Sequence, residues 1–265
     1  MTPHQAIESF DLGKLPSGPR ILARLTAAVR RPEAHLGDVA EILHSDPALT
    51  ARVVAACNST YYARGRPTAD IREAVLHLGL KEVTRIVQVV VLTDFRRSPT
   101  QLYTQTAGYF WERSLHTALV VDRLSAGNPA AYTAAIMHLV GVWVLCRAFP
   151  QAPVSMAERE LELQAELERL RLGLSFAEAG GGVLERWGFD RALCAAVRWQ
   201  LDPAALTEPG HFELGKLLYR ASAVANWHYG AQSELNMRRS GLTQAELEEC
   251  NALAAEQVAQ IGAGL

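Results

Sequence analysis

Histidine has the widest chemical range of the residues in this chain, because imidazole can ligate a metal or exchange a proton near neutral pH. The sequence contains eight histidines. None belongs to a His-Glu-x-x-His pair, the helical spacing that holds zinc, and none is directly followed by Asp. A single histidine outside a cluster is more often a core or surface residue than a ligand. The histidine pattern alone therefore predicts no metal centre.

Two glycine-bearing segments could approach a phosphate. Residues 210–216 have the spacing of a phosphate-binding P-loop, but Leu217 stands where Ser or Thr would ligate magnesium, and no strand precedes the segment. We interpret it as a helix that begins near Glu213. The triple glycine at 180–182 lies inside a helical pattern, where each glycine costs about 1 kcal/mol relative to alanine. A close approach between helices is the favoured reason for it, and a ligand contact is the alternative.

The composition is that of an ordinary globular protein. Apolar residues make up 49% of the 265 residues, charged residues make up 20%, and the net charge is −2. This charge disfavours a nucleic-acid partner.

The sequence gives no sign of a membrane or secreted protein. The most apolar segment, 134–146, is shorter than the roughly 20 residues of a membrane span, and no basic-then-apolar leader is visible. The four cysteines form no Cys-x-x-Cys motif, which favours reduced thiols and a cytoplasmic location away from membranes.

Helical period dominates the first half of the chain. The apolar residues that share one face of the first helix are Ile21, Leu22, Leu25 and Val29. Asp46 before Pro47 predicts an N-cap with proline in the first turn, and Asp70 with Glu73 has capping-box spacing. Residues 81–95 contain a valine run that a strand would tolerate. The length of this segment favours a helix.

Helical patterns continue through the second half. The predicted helices cover 101–124, 130–149, 155–172, 176–187, 191–200, 213–229 and 243–261. In the helix over 155–172 the predicted apolar face consists of Leu161, Leu163, Leu167 and Leu170. Because no hairpin signal occurs, we predict an all-α fold. The segment 98–100 is the expected boundary between an N-terminal helical subdomain, 1–98, and a C-terminal one, 99–265.

Several stretches together resemble the HDOD family, the HD-related output domains of bacterial signalling proteins. The most recognisable are Ser-Asp-Pro-Ala-Leu-Thr-Ala-Arg at 45–52 and Asn-Ser-Thr-Tyr-Tyr at 58–62. The others are 15–19, 71–74, 76–80, 110–114, 134–141, 187–189 and 195–199. Their order and spacing carry the resemblance, which covers about 13–203, and the remaining residues to 265 resemble a helical extension.

This resemblance implies an N-terminal helical bundle and a C-terminal HD-like helical half. In active HD phosphohydrolases, histidines and a His-Asp pair hold divalent metals that activate a water. The resemblance places Arg113 at the first His, Leu139 after His138 at the Asp, Ala177 at a further His, Gln200 and Leu201 at a His pair, and Asn226 at a late Asp. His116 lies one helical turn after Arg113 as a weak substitute ligand. Catalytic metal centres need about three protein ligands, so we expect no metal, no cofactor and no catalytic residue.

The resemblance therefore implies a non-catalytic signal-transduction output or adaptor module that binds unknown signalling proteins. One alternative is a vestigial cleft that binds a nucleotide second messenger without hydrolysis; its candidate residues are Arg113, His116, His138, Gln200 and Asn226. Arg113 could clamp a phosphate there, since guanidinium binds phosphate bidentately. A divergent metal-dependent phosphohydrolase is a less favoured alternative.

Two surface segments are candidates for protein binding. The first is a loop that contains Tyr61, Tyr62, Arg64 and Arg66, residue types enriched at binding hot spots. Its tyrosines could instead cover the core while the arginines are solvated. The second is the charged helix over 158–171, which could pair with a partner helix or present a solvated face.

Overall fold

A computed structural model describes residues 3–31, 33, 35–63, 67–97, 105–150, 161–230 and 232–264. The regular structure of these residues is helical, and none of them forms a β-strand. The prediction of an all-α fold is therefore confirmed. The expected boundary at 98–100 lies outside the described residues.

The N-terminal half builds a small helical bundle. Its helices are α1 (Pro3–Glu8), α2 (Gly18–Val29), α3 (Leu36–His44), α4 (Pro47–Cys57), α5 (Ile71–Leu78) and α6 (Leu80–Arg96). The predicted caps are present, since the Asp46 side chain accepts from the Leu49 amide and the Asp70 side chain accepts from the Glu73 amide. The valine run lies in α6, which packs against α2, α4 and α5 and also against the second half. Its apolar residues are needed on nearly every face, which explains the strand-like composition.

The C-terminal half surrounds the candidate site. Its helices are α7 (Ala107–Leu124), α8 (Pro129–Met137), α9 (Val140–Ala148), α10 (Leu161–Leu172), α11 (Phe176–Trp187), α12 (Arg191–Arg198), α13 (Pro209–Tyr229), α14 (Glu234–Ser240) and α15 (Gln244–Ala263). The P-loop-like segment lies within α13, so it forms a helix as interpreted, although the helix begins earlier, at Pro209. Helix α14 is short and has no apolar stripe, and the sequence patterns missed it.

The helix predicted over 130–149 is interrupted between α8 and α9. The His138 side chain donates to the Ala135 carbonyl at 2.6 Å. In a continuous helix the amide of Leu139 would donate to that carbonyl. Gln200 donates to the His138 carbonyl at 2.8 Å. This carbonyl therefore accepts from a side chain rather than from an amide of the helix. Side chains that compete for backbone carbonyls end a helix locally.

The segment Pro129–Ala148 is long and apolar enough to cross a membrane. However, 83% of its most apolar window is buried inside the fold, as expected of core helices.

Glycines permit a close crossing of α9 and α11. A Cβ on Gly141 would lie 1.8 Å from the Phe176 carbonyl oxygen, and the Gly141 amide nitrogen lies 3.3 Å from the Cβ position of Gly180. Gly181 also permits a close approach, in this case to α12, because a Cβ on Gly181 would lie 2.7 Å from Arg198 Cβ. The interpretation of the triple glycine as a close helix approach is confirmed for these two residues. Gly182 would meet only ordinary contacts.

The apolar face predicted for α10 is wrong. Leu161 is buried, but Leu163 is 39% exposed and Leu170 is 77% exposed. The buried face instead consists of Leu161, Gln164, Ala165, Glu168 and Leu172. Polar residues occupy it because Glu168 accepts from Gln164 at 3.0 Å and from the Phe176 amide, and this buried bonding outweighs the leucine pattern.

Candidate functional site

The residues proposed for the vestigial cleft come from four segments of the C-terminal half. Arg113 and His116 lie on α7, His138 follows α8, Gln200 follows α12, and Asn226 lies on α13. All of them are between 0% and 2% exposed. We call this set the polar centre. The structure joins Arg113 to Asn226 and His138 to Gln200 directly, so positions more than a hundred residues apart share one buried region.

Arg113 is a buried cation that is held by neutral groups. One amino group donates to the Tyr109 hydroxyl at 2.8 Å, and the other donates to Asn226 Oδ1. Its Nε has no hydrogen-bond partner, and no carboxylate of the described residues forms an ion pair with it. Burying an unpaired charge costs free energy. The two charge-assisted bonds and the Tyr109 ring, 5.9 Å from the guanidinium carbon, offset part of that cost.

His138 is held as a neutral ring. Its Nδ1 lies 2.6 Å from the Ala135 carbonyl, so Nδ1 carries the proton and donates it there. The lone pair of Nε2 is buried and has no partner among the described residues. Burial lowers the pKa of His138 to about 3, the bond to Ala135 raises it, and the charge of Arg113 lowers it further. Gln200 fixes the backbone beside it by donating to His138 and Val197 carbonyls at 2.8 and 2.9 Å.

His116 makes contacts that the sequence patterns did not identify. Its Nε2 lies 2.8 Å from Asn251 Oδ1, and its ring stacks on His228 with centroids 4.9 Å apart. Asn251 can only accept through this oxygen, so Nε2 is the protonated nitrogen and Nδ1 is an unpartnered acceptor. Burial lowers the pKa of His116 to about 4, the Asn251 bond raises it, and His228 and Arg113 lower it. Asn251 lies on the buried face of α15 between apolar residues. A polar residue at such a position was the feature of the sequence that could have identified it.

The polar centre does not fit a divalent metal. Its free acceptors are His138 Nε2, His116 Nδ1 and Gln200 Oε1. Leu139 and Ala177, at positions where the resemblance expects metal ligands, are apolar and fully or almost fully buried. Within the described ranges no three His, Cys, Asp or Glu side chains gather as a metal-binding group. The buried guanidinium beside two imidazoles repels a cation, and the polar centre as defined contains no carboxylate to attract one.

The tyrosines of the candidate interaction loop lie against the fold. Tyr62 is 7% exposed, and Tyr61 is half-buried with its ring edge-on to Tyr62 at 4.7 Å. Burial raises the pKa of the Tyr62 hydroxyl above its ordinary value. Tyr62 therefore covers the core, which leaves Tyr61 as the partly accessible ring of the pair. Arg64 and Arg66 lie outside the described residues.

Comparison with known proteins places the chain in a family. Residues 15–203 match the HDOD domain, so the chain belongs to the HDOD family. A crystal structure of an HDOD domain protein from Geobacter sulfurreducens superimposes with a TM-score of 0.72 at 21% identity, covering 98% of this chain and 96% of that one. A candidate signal transduction protein from Marinobacter aquaeolei VT8 gives a TM-score of 0.74 at 23% identity, covering 98% of this chain and 63% of that one. These likenesses show a shared fold.

A curated relative extends well beyond the region shared with this chain. An uncharacterized protein of Treponema pallidum (strain Nichols) is 24% identical over 200 residues, which are 70% of this chain and 37% of the relative. The chain thus spans little more than a third of that relative's length. The family assignment agrees with the resemblance that the sequence motifs carried, including its end at residue 203.

Proposed function

We propose that this chain is a non-catalytic signal-transduction output module that acts by binding other proteins. The observation that carries the proposal is the buried guanidinium of Arg113, bonded to Tyr109 and Asn226 at the centre of an HD-related scaffold. A hydrolytic site needs at least three metal ligands and an accessible water. This centre offers a cation in place of a ligand and has no measurable solvent exposure at Arg113, His116 or His138.

Membership in the HDOD family supports the signalling part of the proposal. The Marinobacter protein that shares the fold is described as a candidate signal transduction protein, and this description is consistent with the same role. A scaffold that has lost its chemistry still offers rigid surfaces, and function then depends on what those surfaces bind.

Helix α10 offers a surface suited to a protein partner. Leu163, Leu167 and Leu170 follow the i, i+4, i+7 spacing of one helical face. Leu163 and Leu170 are exposed and Leu167 is half-buried. Exposed apolar residues grouped on one face are typical of helix-mediated protein recognition, so this face is the first place to test.

The proposal that the chain is non-catalytic is tested by its metal content. The chain is incubated with manganese, iron and zinc, dialysed, and analysed by elemental mass spectrometry. We expect no stoichiometric metal and no hydrolysis of a phosphodiester substrate. One or two retained metals per chain, with activity that depends on them, would contradict it.

The binding part is tested by cross-linking affinity capture with the tagged chain. A Leu163→Glu/Leu170→Glu variant should lose proteins that the unaltered chain captures. The control is Leu76→Glu on α5, because Leu76 is 69% exposed on the other half; it introduces the same residue type but adds one negative charge, whereas the test variant adds two. Equal capture by all three proteins would exclude the α10 face.

Nucleotide binding at the polar centre has weaker support. The phosphate-clamping role would need Arg113 to release Tyr109 and Asn226 and to become accessible from a fully buried position. Breaking charge-assisted bonds of a buried cation costs several kcal/mol, on the order of 3, which a phosphate contact would have to replace.

A further inference from the structure

The three leucines Leu163, Leu167 and Leu170 form one face of α10, which we call the leucine face. At about 100° per residue they span about 60° of the helix surface. The buried side of the helix, which includes Ala165 and Glu168, lies opposite to them. Because Leu163 is 39% exposed and Leu170 is 77% exposed, the leucine face points away from the fold and is accessible.

The spacing of the leucine face is almost the same in both chain directions. The intervals are four residues from Leu163 to Leu167 and three residues from Leu167 to Leu170. When two copies of α10 lie antiparallel, Leu163 of each copy is opposite Leu170 of the other, and the two copies of Leu167 meet near the axis. This pattern is therefore complementary to itself, as the single surface patch of a two-fold interface must be.

The charges beside the leucine face are also complementary to themselves in this direction. The first turn of α10 is acidic, with Glu162, and the last turn is basic, with Arg169 and Arg171. An antiparallel pair places the acidic end of each helix beside the basic end of the other. A parallel pair would place like charges side by side, and like charges at close range repel.

Two exposed residues carry this complementarity most directly. Glu166 is exposed and forms no ion pair with a described residue. Arg169 donates through its Nε to Glu178, and 47% of its side chain is exposed. In the antiparallel register set by the leucines, Glu166 of one copy is about 3 Å along the axis from Arg169 of the other, because each residue rises about 1.5 Å.

We propose that the leucine face of α10 binds the leucine face of a second copy of this chain, antiparallel about a two-fold axis. The inference rests on the proposed function, since it names a partner for the surface suggested there. Self-pairing covers the leucines and excludes another protein from them. The local concentration of the chain thereby regulates how much of this surface is open to other partners.

The pair is weak. Helix α10 has 12 residues, so one copy offers a contact about 18 Å long. Interfaces that bury less than about 1,200 Å² belong to weak and transient complexes. We therefore expect a dissociation constant between about 10 μM and 1 mM.

Sedimentation velocity of the full chain across that concentration range tests the leucine face. The dimer fraction should rise with concentration for the unaltered chain, whereas Leu163→Glu/Leu170→Glu should stay monomeric. The matched control is Leu76→Glu/His77→Glu, because both residues are exposed on α5 and the change also adds two negative charges. The control should dimerise as the unaltered chain does, and circular dichroism checks that every variant is folded.

Two charge reversals test the antiparallel direction. Glu166→Arg and Arg169→Glu should each weaken the dimer about fivefold, because an exposed ion pair contributes little and the two-fold axis creates two of them. An equimolar mixture of the two variants should dimerise more tightly than either variant alone, because their altered charges are opposite. A variant that had merely lost its fold would not recover in the mixture.

Three results would overturn the inference: a monomer at every concentration, equal dimerisation by the leucine variant and the unaltered chain, or a mixture that dimerises no better than its components. Affinity capture distinguishes this failure from that of the proposed function. A monomeric chain that captures other proteins through α10 refutes self-pairing alone. A dimer that captures no other protein supports self-pairing and contradicts the proposed binding of other proteins.

Discussion

Two buried glutamines are bonded differently: Gln200 lies in the polar centre, and Gln88 lies beside the space between α2, α6, α8 and α12, which we call the interhelical cavity. Gln200 is fully buried and its amide donates to two backbone carbonyls, which fixes the junction between α8 and α12. Gln88 donates once, to Thr133. The side-chain oxygen of each glutamine is closed to solvent and has no partner among the described residues. Gln200 therefore holds two backbone segments together, whereas Gln88 makes one side-chain contact between α6 and α8.

The proposed non-catalytic function accounts for the bonding of the polar centre. The positions that the resemblance assigns to metal ligands lie inside the C-terminal half, where a polar group without partners costs free energy. Arg113, Asn226 and Tyr109 satisfy one another, and apolar Leu139 and Ala177 fill the remaining positions. Under the proposed function, these residues serve the stability of the fold, and binding takes place on other surfaces.

The largest expected effect comes from Asn226→Leu. This change removes the oxygen that accepts from Arg113 and leaves a buried cation with one fewer bond, so we expect a loss of about 3 kcal/mol in the free energy of unfolding. Urea denaturation followed by circular dichroism measures it.

The matched control is Asn226→Asp, which keeps the shape and supplies the missing counter-ion. It should retain more stability than Asn226→Leu at pH 7 and lose the advantage in acid, when the carboxylate is protonated. If the two variants are equally stable, the guanidinium is not held as the structure indicates.

A smaller effect should appear in the pH dependence of stability. Burial lowers the pKa of His138 to about 3 and that of His116 to about 4 in the folded chain, whereas an unfolded histidine titrates near 6.5. Between these values the unfolded chain binds more protons, so stability falls as the pH decreases from about 6.5 towards 4. Each histidine should cost about 2 kcal/mol between pH 7 and pH 5.

His138→Gln tests this contribution. Its stability loss from pH 7 to pH 5 should be about 2 kcal/mol smaller than that of the unaltered chain, whatever its stability at pH 7. His77→Gln, at an exposed position of α5, is the matched control. The same slope in both variants would show that His138 is protonated in the folded state.

Much of the fold could be predicted from local signals. Asp46 and Asp70 cap helices as their spacing predicts, because capping depends on residues within one turn. The leucines of α10 misled the prediction, since the burial of Gln164 and Glu168 depends on their mutual bond and on the distant Phe176 amide. The break between α8 and α9 likewise depends on Gln200, which is 62 residues from His138.

The candidate site could be predicted only in part, because motifs reveal single positions but not the distant contacts between them. The resemblance identified Arg113, Gln200 and Asn226 as substituted ligand positions and His138 as a retained histidine, and the structure bonds Arg113 to Asn226 and Gln200 to the His138 carbonyl. It did not identify Tyr109, Asn251 or His228. Tyr109 lies one helical turn before Arg113 on α7, so their spacing could have suggested the bond. Asn251 and His228 meet His116 only because α13 and α15 pack against α7. The interhelical cavity has no local signature either, since Gln88 and Thr133 lie on helices of different halves.

The smallest expected effect compares the two glutamines directly. Gln200→Leu removes the donor from two buried carbonyls, so it should cost about 2 kcal/mol. Gln88→Leu removes one bond, leaves Thr133 bonded to the Pro129 carbonyl, and also removes an unpartnered oxygen, so its effect should lie within about 0.5 kcal/mol of zero. Thermal and urea unfolding of both variants measure the difference. Equal losses would mean that Gln88 stabilises the fold as much as Gln200 does, and the contrast between the two bonding patterns would then be lost.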